Sequence, residues 1–162
     1  MKLAIVQREG VIQEATGGYG ASAPEWRTIP GAMEAVARLC QAGYRVFVVS
    51  ALAVPEFGAP DFEAFSNLHD RLQKSAGELG ARIDAVLFSG ENGAASASLL
   101  SDLSRRLGVS LKNVPVVAAA APLLEAARGL QARVLQVGVK SAATAAENFE
   151  DLRSVAAALA AA

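Results

Sequence analysis

Lys2-Leu3-Ala4-Ile5-Val6, continued by Gln7-Arg8-Glu9-Gly10-Val11-Ile12, is the stretch whose reading decides the fold. From Leu3 to Val6 it is continuously apolar rather than alternating, the pattern of a strand buried on both faces of a parallel sheet. It then turns polar at once, which puts an amide, a guanidinium and a carboxylate on the loop leaving the strand's C-terminal end. Open α/β sheets place their ligands at that end.

Working outward, apolar strand-like runs recur at 2–6, 45–49, 85–88, 114–118 and 133–137. Segments with helical spacing lie between and after them, at 31–41, 61–79, 99–107, 122–130 and 147–159. Alternation of this kind predicts an α/β three-layer sandwich, a five-stranded parallel sheet covered on both faces. Pro30-Gly31 opens the first helix and Gly43 closes it; Asp61 can cap the second and Gly108 ends the third. The 90–98 stretch reads as a surface loop by composition. The connection 13–29, with Gly17-Gly18-Tyr19-Gly20, is longer than an ordinary turn. It reads equally as a site-lining loop and as a plain solvated one. No internal repeat or linker divides the chain, so one domain over 1–162 is expected.

The chain is 52% hydrophobic and 19% charged, with much of the apolar excess in alanine. A net charge of −1 gives no electrostatic case for a nucleic-acid or membrane surface, since both need clustered Lys and Arg. One cysteine, Cys40, excludes an internal disulfide and a multi-cysteine zinc site, and it reads as a small core residue. No apolar run approaches the roughly 20 residues that span a bilayer. The chain opens directly on a strand with no separate signal-peptide pattern, so a cytoplasmic setting is expected. His69 reads as a helix-surface residue, and Arg105-Arg106 as a solvated pair at a helix end.

Two further stretches add specificity to the opening motif: Glu25-Trp26-Arg27-Thr28-Ile29-Pro30-Gly31-Ala32, and Ala42-Gly43-Tyr44-Arg45-Val46. Together with it they resemble the small, nearly capless phosphatases of the haloacid dehalogenase (HAD) superfamily. The likeness is to the histidinol-phosphate and D-glycero-D-manno-heptose 1,7-bisphosphate group, over roughly residues 1–140. The resemblance implies a HAD-like sheet, a magnesium-dependent phosphomonoester hydrolase chemistry and four chemical stations.

At the first station the family writes Asp-x-Asp-Gly, a nucleophile followed by a general acid/base. Here Gln7 and Glu9 stand in those places. A neutral amide is a poor nucleophile. The extra methylene of Glu9 moves its oxygens by over ~1 Å, a misplacement that can cost about 100-fold. At the second station Thr-Asn-Gln-Ser becomes Ser50-Ala51-Leu52-Ala53, which keeps one hydroxyl; Ser50 reads as a phosphate contact or as a strand-end capping residue. At the third, the lysine of Cys-Arg-Lys-Pro-x-Pro-Gly aligns with Ala94 and its arginine with Gly93, and the zinc-binding Cys/His loop is absent. At the fourth, Val-Gly-Asp-Ser-x-x-Asp becomes Val117-Ala118-Ala119-Ala120-Ala121-Pro122-Leu123, so that the metal-binding aspartate aligns with Ala119. Magnesium wants hard oxygen ligands, and alanine offers none. The five aspartates, Asp61, Asp70, Asp84, Asp102 and Asp151, all fall away from strand C-termini, so no shift of register restores the site.

Phosphate-ester hydrolysis can need up to ~10²¹-fold acceleration. With nucleophile, lysine and metal ligand replaced together, the expectation is a catalytically inactive HAD-like protein with a binding, regulatory or assembly role. In that case no cofactor is expected, neither magnesium nor zinc. Its partner would be another protein, an active relative or a second copy. The alternative is a weakly active or altered phosphatase using Glu9 and Ser50 with magnesium. The candidate site is the set Gln7, Glu9, Ser50, Ala94 and Ala119, with Arg8, Glu9 and Ser50 as residual ligand-binding groups.

Overall fold

A computed structural model describes residues 2–14, 28–51, 62–89, 93–138 and 147–161. Gly17–Gly20, Glu25-Trp26-Arg27, Leu52, Ala53 and the Asp61 cap lie outside them. The elements in chain order are β1 (Lys2–Gln7), α1 (Ala32–Gln41), β2 (Tyr44–Ala51), α2 (Phe62–Glu78), β3 (Ile83–Ser89) and α3 (Gly93–Leu107). They continue with β4 (Pro115–Ala118), α4 (Ala121–Gly129), β5 (Arg133–Val137), β6 (Glu147–Phe149) and α5 (Leu152–Ala160). One sheet runs in the order β3-β2-β1-β4-β5-β6, and every pairing in it is parallel.

The strands supply residues to both faces because successive side chains point to opposite sides. Val6, Val46, Val48, Val117 and Leu135 pack under α1, α2 and α5, against Met33, Val36, Leu39, Leu72, Val155 and Leu159. Leu3, Ile5, Phe47, Val49 and Val116 pack under α3 and α4, against Leu100, Leu103, Leu123 and Leu124. Helix α1 shows why its sequence folds so: Ala32, Ala35, Val36 and Leu39 form one buried stripe at helical spacing. The continuous apolar strands are therefore a product of a sheet covered twice.

Three sequence expectations are corrected. The sheet has six strands, not five, because Glu147-Asn148-Phe149 forms a short edge strand beside β5 rather than the first turn of the last helix. Three residues are too few to show a period. What places them is pairing: Arg133 makes two hydrogen bonds across to the Glu147 carboxylate, at 2.7 and 2.9 Å. Helix α5 starts instead after Asp151, whose carboxylate accepts from the Ser154 N–H at 2.9 Å. The second correction is α3, which begins at Gly93 and takes in most of the stretch read as loop. Alanine and serine are small enough to suggest a loop by composition, but alanine is the best helix former, and Ser96 is buried. Asp84 likewise stands inside β3 rather than before it, paired with Arg45 at 2.6 Å.

The strand order reverses between β1 and β4, which leave the sheet in opposite lateral directions. This is the topological switch point, and the crevice outside the C-terminal ends of those two strands is the position where doubly wound sheets bind ligands. Gln7 ends one of the strands and Ala118 the other.

Candidate functional site at the sheet crest

Gln7 is 2% exposed, and its carboxamide oxygen accepts from two backbone N–H groups, those of Ala119 at 2.8 Å and Ala120 at 3.1 Å. These belong to the turn from β4 into α4. Ala120 is the residue before the first turn of α4, and it has no side chain able to cap the helix. A side chain 112 positions earlier thus satisfies donors that the local sequence cannot.

The next residue turns the other way. Arg8 Nε–H donates to Ser50 Oγ at 2.9 Å, its Nη2 to Glu9 Oε1 at 3.0 Å, and its Nη1 to Gln13 Oε1. Ser50 Oγ–H in turn donates to Glu9 Oε1 at 2.6 Å. Ser50 is fully buried and Gln13 is 5% exposed, so the network is largely withdrawn from water. The loop that builds it is tight. The N–H groups of Ile12 and Gln13 both return to the Arg8 carbonyl at 3.0 Å, and Gly10 N–H donates to the Gln13 carbonyl at 2.7 Å. Gly10 has φ 77°, and a Cβ there would lie 3.0 Å from Ala119 Cβ. Only glycine lets the loop turn and approach β4 so closely.

The fold therefore brings Gln7, Arg8, Glu9, Ser50 and Ala119 to one crest. Ala94 is the second residue of α3, a helix that also starts from the C-terminal edge of the sheet. Among the described residues the one carboxylate brought to the crest, that of Glu9, is engaged by a guanidinium and a hydroxyl, the amide oxygen of Gln7 by two backbone donors, and Ala119 has no ligating side-chain atom. Among the described residues no three or more His, Cys, Asp or Glu side chains gather. A magnesium ion needs several unengaged hard oxygens, and this donor set does not fit it. Sequence reasoning missed Gln13, which it read as the start of a long connection. Its one signal was a polar residue directly after Val11-Ile12. His69 lies on α2, and the Asp102 carboxylate pairs with Arg105 and with Arg106, the latter at 2.8 Å.

The chain is 30% identical over 124 residues to D-glycero-β-D-manno-heptose-1,7-bisphosphate 7-phosphatase of Bordetella bronchiseptica, covering 72% of this chain and 69% of that relative. The enzyme of the same name from Pseudomonas aeruginosa is 28% identical, with 97% of each chain covered. The crystal structure of the B. bronchiseptica phosphatase complexed with magnesium and phosphate superposes with a TM-score of 0.87 at 26% identity, over 98% of both chains. No protein-family profile matches the chain.

Proposed function

The chain belongs to the D-glycero-β-D-manno-heptose-1,7-bisphosphate 7-phosphatase family of the HAD superfamily, and from that premise we propose that it is a non-catalytic member acting by binding. The observation behind this reading is the state of Gln7. Where the family places an attacking carboxylate, a neutral amide stands with its oxygen committed to the N–H groups of Ala119 and Ala120. An amide oxygen so engaged has neither the charge nor the open lone pairs that attack on phosphorus requires. Glu9 is held by Arg8 and Ser50, so the carboxylate nearest a general acid's position is spent on an internal ion pair. Alanine at 94 and 119 supplies neither the charge of a lysine nor the oxygen of a metal ligand. A protein partner, an active relative or a second copy of the chain, fits a scaffold kept without its chemistry. A reducing, cytoplasmic setting suits the free thiol of Cys40.

The test is direct. The purified chain, given D-glycero-β-D-manno-heptose 1,7-bisphosphate and magnesium, is expected to release no phosphate above the uncatalysed background. Magnesium-dependent release that disappears on Glu9→Ala would overturn the reading.

That outcome would establish the second reading, a weakly active or altered phosphatase of the heptose bisphosphate or histidinol phosphate type. It is favoured by the names of the relatives and by the 2.6 Å Ser50–Glu9 contact, which keeps a hydroxyl and a carboxylate together at the crest. Released from Arg8, Glu9 would be placed to move a proton beside a bound ester.

A further inference from the structure

The end of the sheet opposite the crest carries a line of cations that chain order conceals. Because every pairing is parallel, the strands all enter the sheet at that end. Five of them do so on a basic residue. Lys2 is the first residue of β1 and Arg133 of β5, Arg45 is the second of β2, Arg82 directly precedes β3, and Lys112 lies in the turn into β4. The strand order β3-β2-β1-β4-β5 makes neighbours of them: Arg82, Arg45, Lys2, Lys112, Arg133. Neighbouring strands lie about 4.8 Å apart, so the row runs for roughly 20 Å. Arg133 is half-buried and the other residues of the row are exposed. Two are neutralised within the chain, Arg45 by Asp84 at 2.6 Å and Arg133 by Glu147 at 2.7 Å. Arg82, Lys2 and Lys112 pair with no carboxylate among the described residues. Lys2 Nζ donates to the Ala42 carbonyl at 3.3 Å, which uses one of the three N–H donors of an ammonium. Helix dipoles account for Arg38, Arg105, Arg106 and Arg128 in the last turns of α1, α3 and α4, but the row belongs to the strands. Lys2 and Lys112, on adjacent strands, lie too close for salt to screen their repulsion fully, and an anionic partner would relieve it.

We propose that this row is the docking surface for an extended acidic segment of a partner protein. From β3 to β4 is three strand steps, about 14 Å, and alternate side chains of an extended peptide recur about every 6.8 Å. Three carboxylates at alternate positions therefore span the distance from Arg82 past Lys2 to Lys112. The rings of the row do not suit nucleobases. Phe47 is buried, with the Arg45 guanidinium 5.9 Å from its centroid, and Lys2 Nζ stands 5.2 Å from the centroid of Tyr44. Neither ring is the open platform on which bases stack. Asp84 and Glu147 also interrupt the positive field, which a peptide meets by spacing its carboxylates and a continuous phosphate chain cannot. The surface lies at the far end of the sheet from Gln7 and Glu9, so it goes beyond the non-catalytic reading and stands whether or not the crest hydrolyses an ester.

The experiment uses the full chain, 15N-labelled, titrated at low ionic strength with a peptide bearing glutamate at three alternate positions. A second arm replaces those glutamates by glutamine, and a third uses a single-stranded oligothymidine of about eight nucleotides. The backbone amides of Leu3, Arg45, Arg82, Lys112 and Arg133 are expected to shift with the glutamate peptide, saturating with Kd of about 1 mM or below. Arg82→Glu combined with Lys112→Glu is expected to weaken binding by at least about tenfold. Lys74→Glu combined with Arg128→Glu changes the net charge equally at exposed helix positions outside the row. Screening by salt is expected to keep its effect below about threefold. Arg82→Gln with Lys112→Gln preserves the comparison if the charge-reversed pair folds poorly. The proposal is overturned if those amides do not move at about 10 mM glutamate peptide, ten times that Kd. It is overturned equally if the glutamine peptide or the oligothymidine shifts them at the same or lower concentration, or if the two double variants lose binding alike.

Discussion

Two backbone N–H groups, those of Ala119 and Ala120, would be stranded in a buried crevice if position 7 were apolar. Gln7→Leu, close in volume but without an acceptor, is expected to lower stability by roughly 2–6 kcal/mol, one desolvation penalty for each N–H. Urea unfolding measures it, and a loss below about 0.5 kcal/mol would mean that water replaces the amide without cost. Gly10 gives a second residue-level test. Its φ of 77° and the 3.0 Å approach to Ala119 Cβ act together, whereas Gly108, with φ 66°, has nothing within 4 Å of the place a methyl group would take. Gly108→Ala is therefore expected to cost only the left-handed backbone, about 1–2 kcal/mol, and Gly10→Ala visibly more. Equal losses would show that Ala119 moves aside freely.

At the scale of elements, β6 and the start of α5 are the part of the fold that sequence periodicity misread. The Arg133 guanidinium, hydrogen-bonded across to Glu147, holds that carboxyl below its usual range. The backbone N–H of Ser154, followed by the Ser154 hydroxyl and Arg153, does the same for Asp151. Both groups favour the folded state while ionised. Their contribution is present above the unfolded carboxylate range and is lost as pH falls through the lower folded values. For Asp151 the ordinary value is 3.8. Asp151→Ala is expected to cost about 1 kcal/mol at neutral pH, as loss of a helix cap does. The difference from the parent should shrink as pH drops below that value. A gap that stayed constant into acid would assign the loss to packing rather than to the ionised cap. Arg133→Ala, on an exposed pair, is expected to change global stability by under about 1 kcal/mol. Its effect should appear as faster amide exchange at 147–149, at the edge strand it holds.

At the scale of the whole molecule, one sheet serves two cores, so neither core can come apart alone. Leu39→Ala under one face and Leu124→Ala under the other each remove a fully buried side chain. Each is expected to cost about 2–5 kcal/mol in a single cooperative transition. Two transitions in either variant would show that the faces unfold independently. Most of this architecture was legible in advance, because continuous runs such as Leu3-Ala4-Ile5-Val6 can be buried only in a sheet covered on both sides. The helix start at Gly93 and the strand at Glu147 were less so: small residues suit loop and helix alike, and a three-residue edge strand is defined by its neighbour. At the crest, the sequence by itself determined which chemical groups are present and which family stations hold alanine or an amide, since residue identity does not depend on folding. It could not determine that Gln7 turns its oxygen toward Ala119 and Ala120, that Gln13 folds back on Arg8, or that Glu9 is engaged by Ser50. Those contacts join residues 112, 113 and 41 positions apart or lie within one irregular loop. Only the tertiary structure decided them, because a side-chain hydrogen bond is fixed by where the backbone brings its partner, and no local pattern encodes that distance.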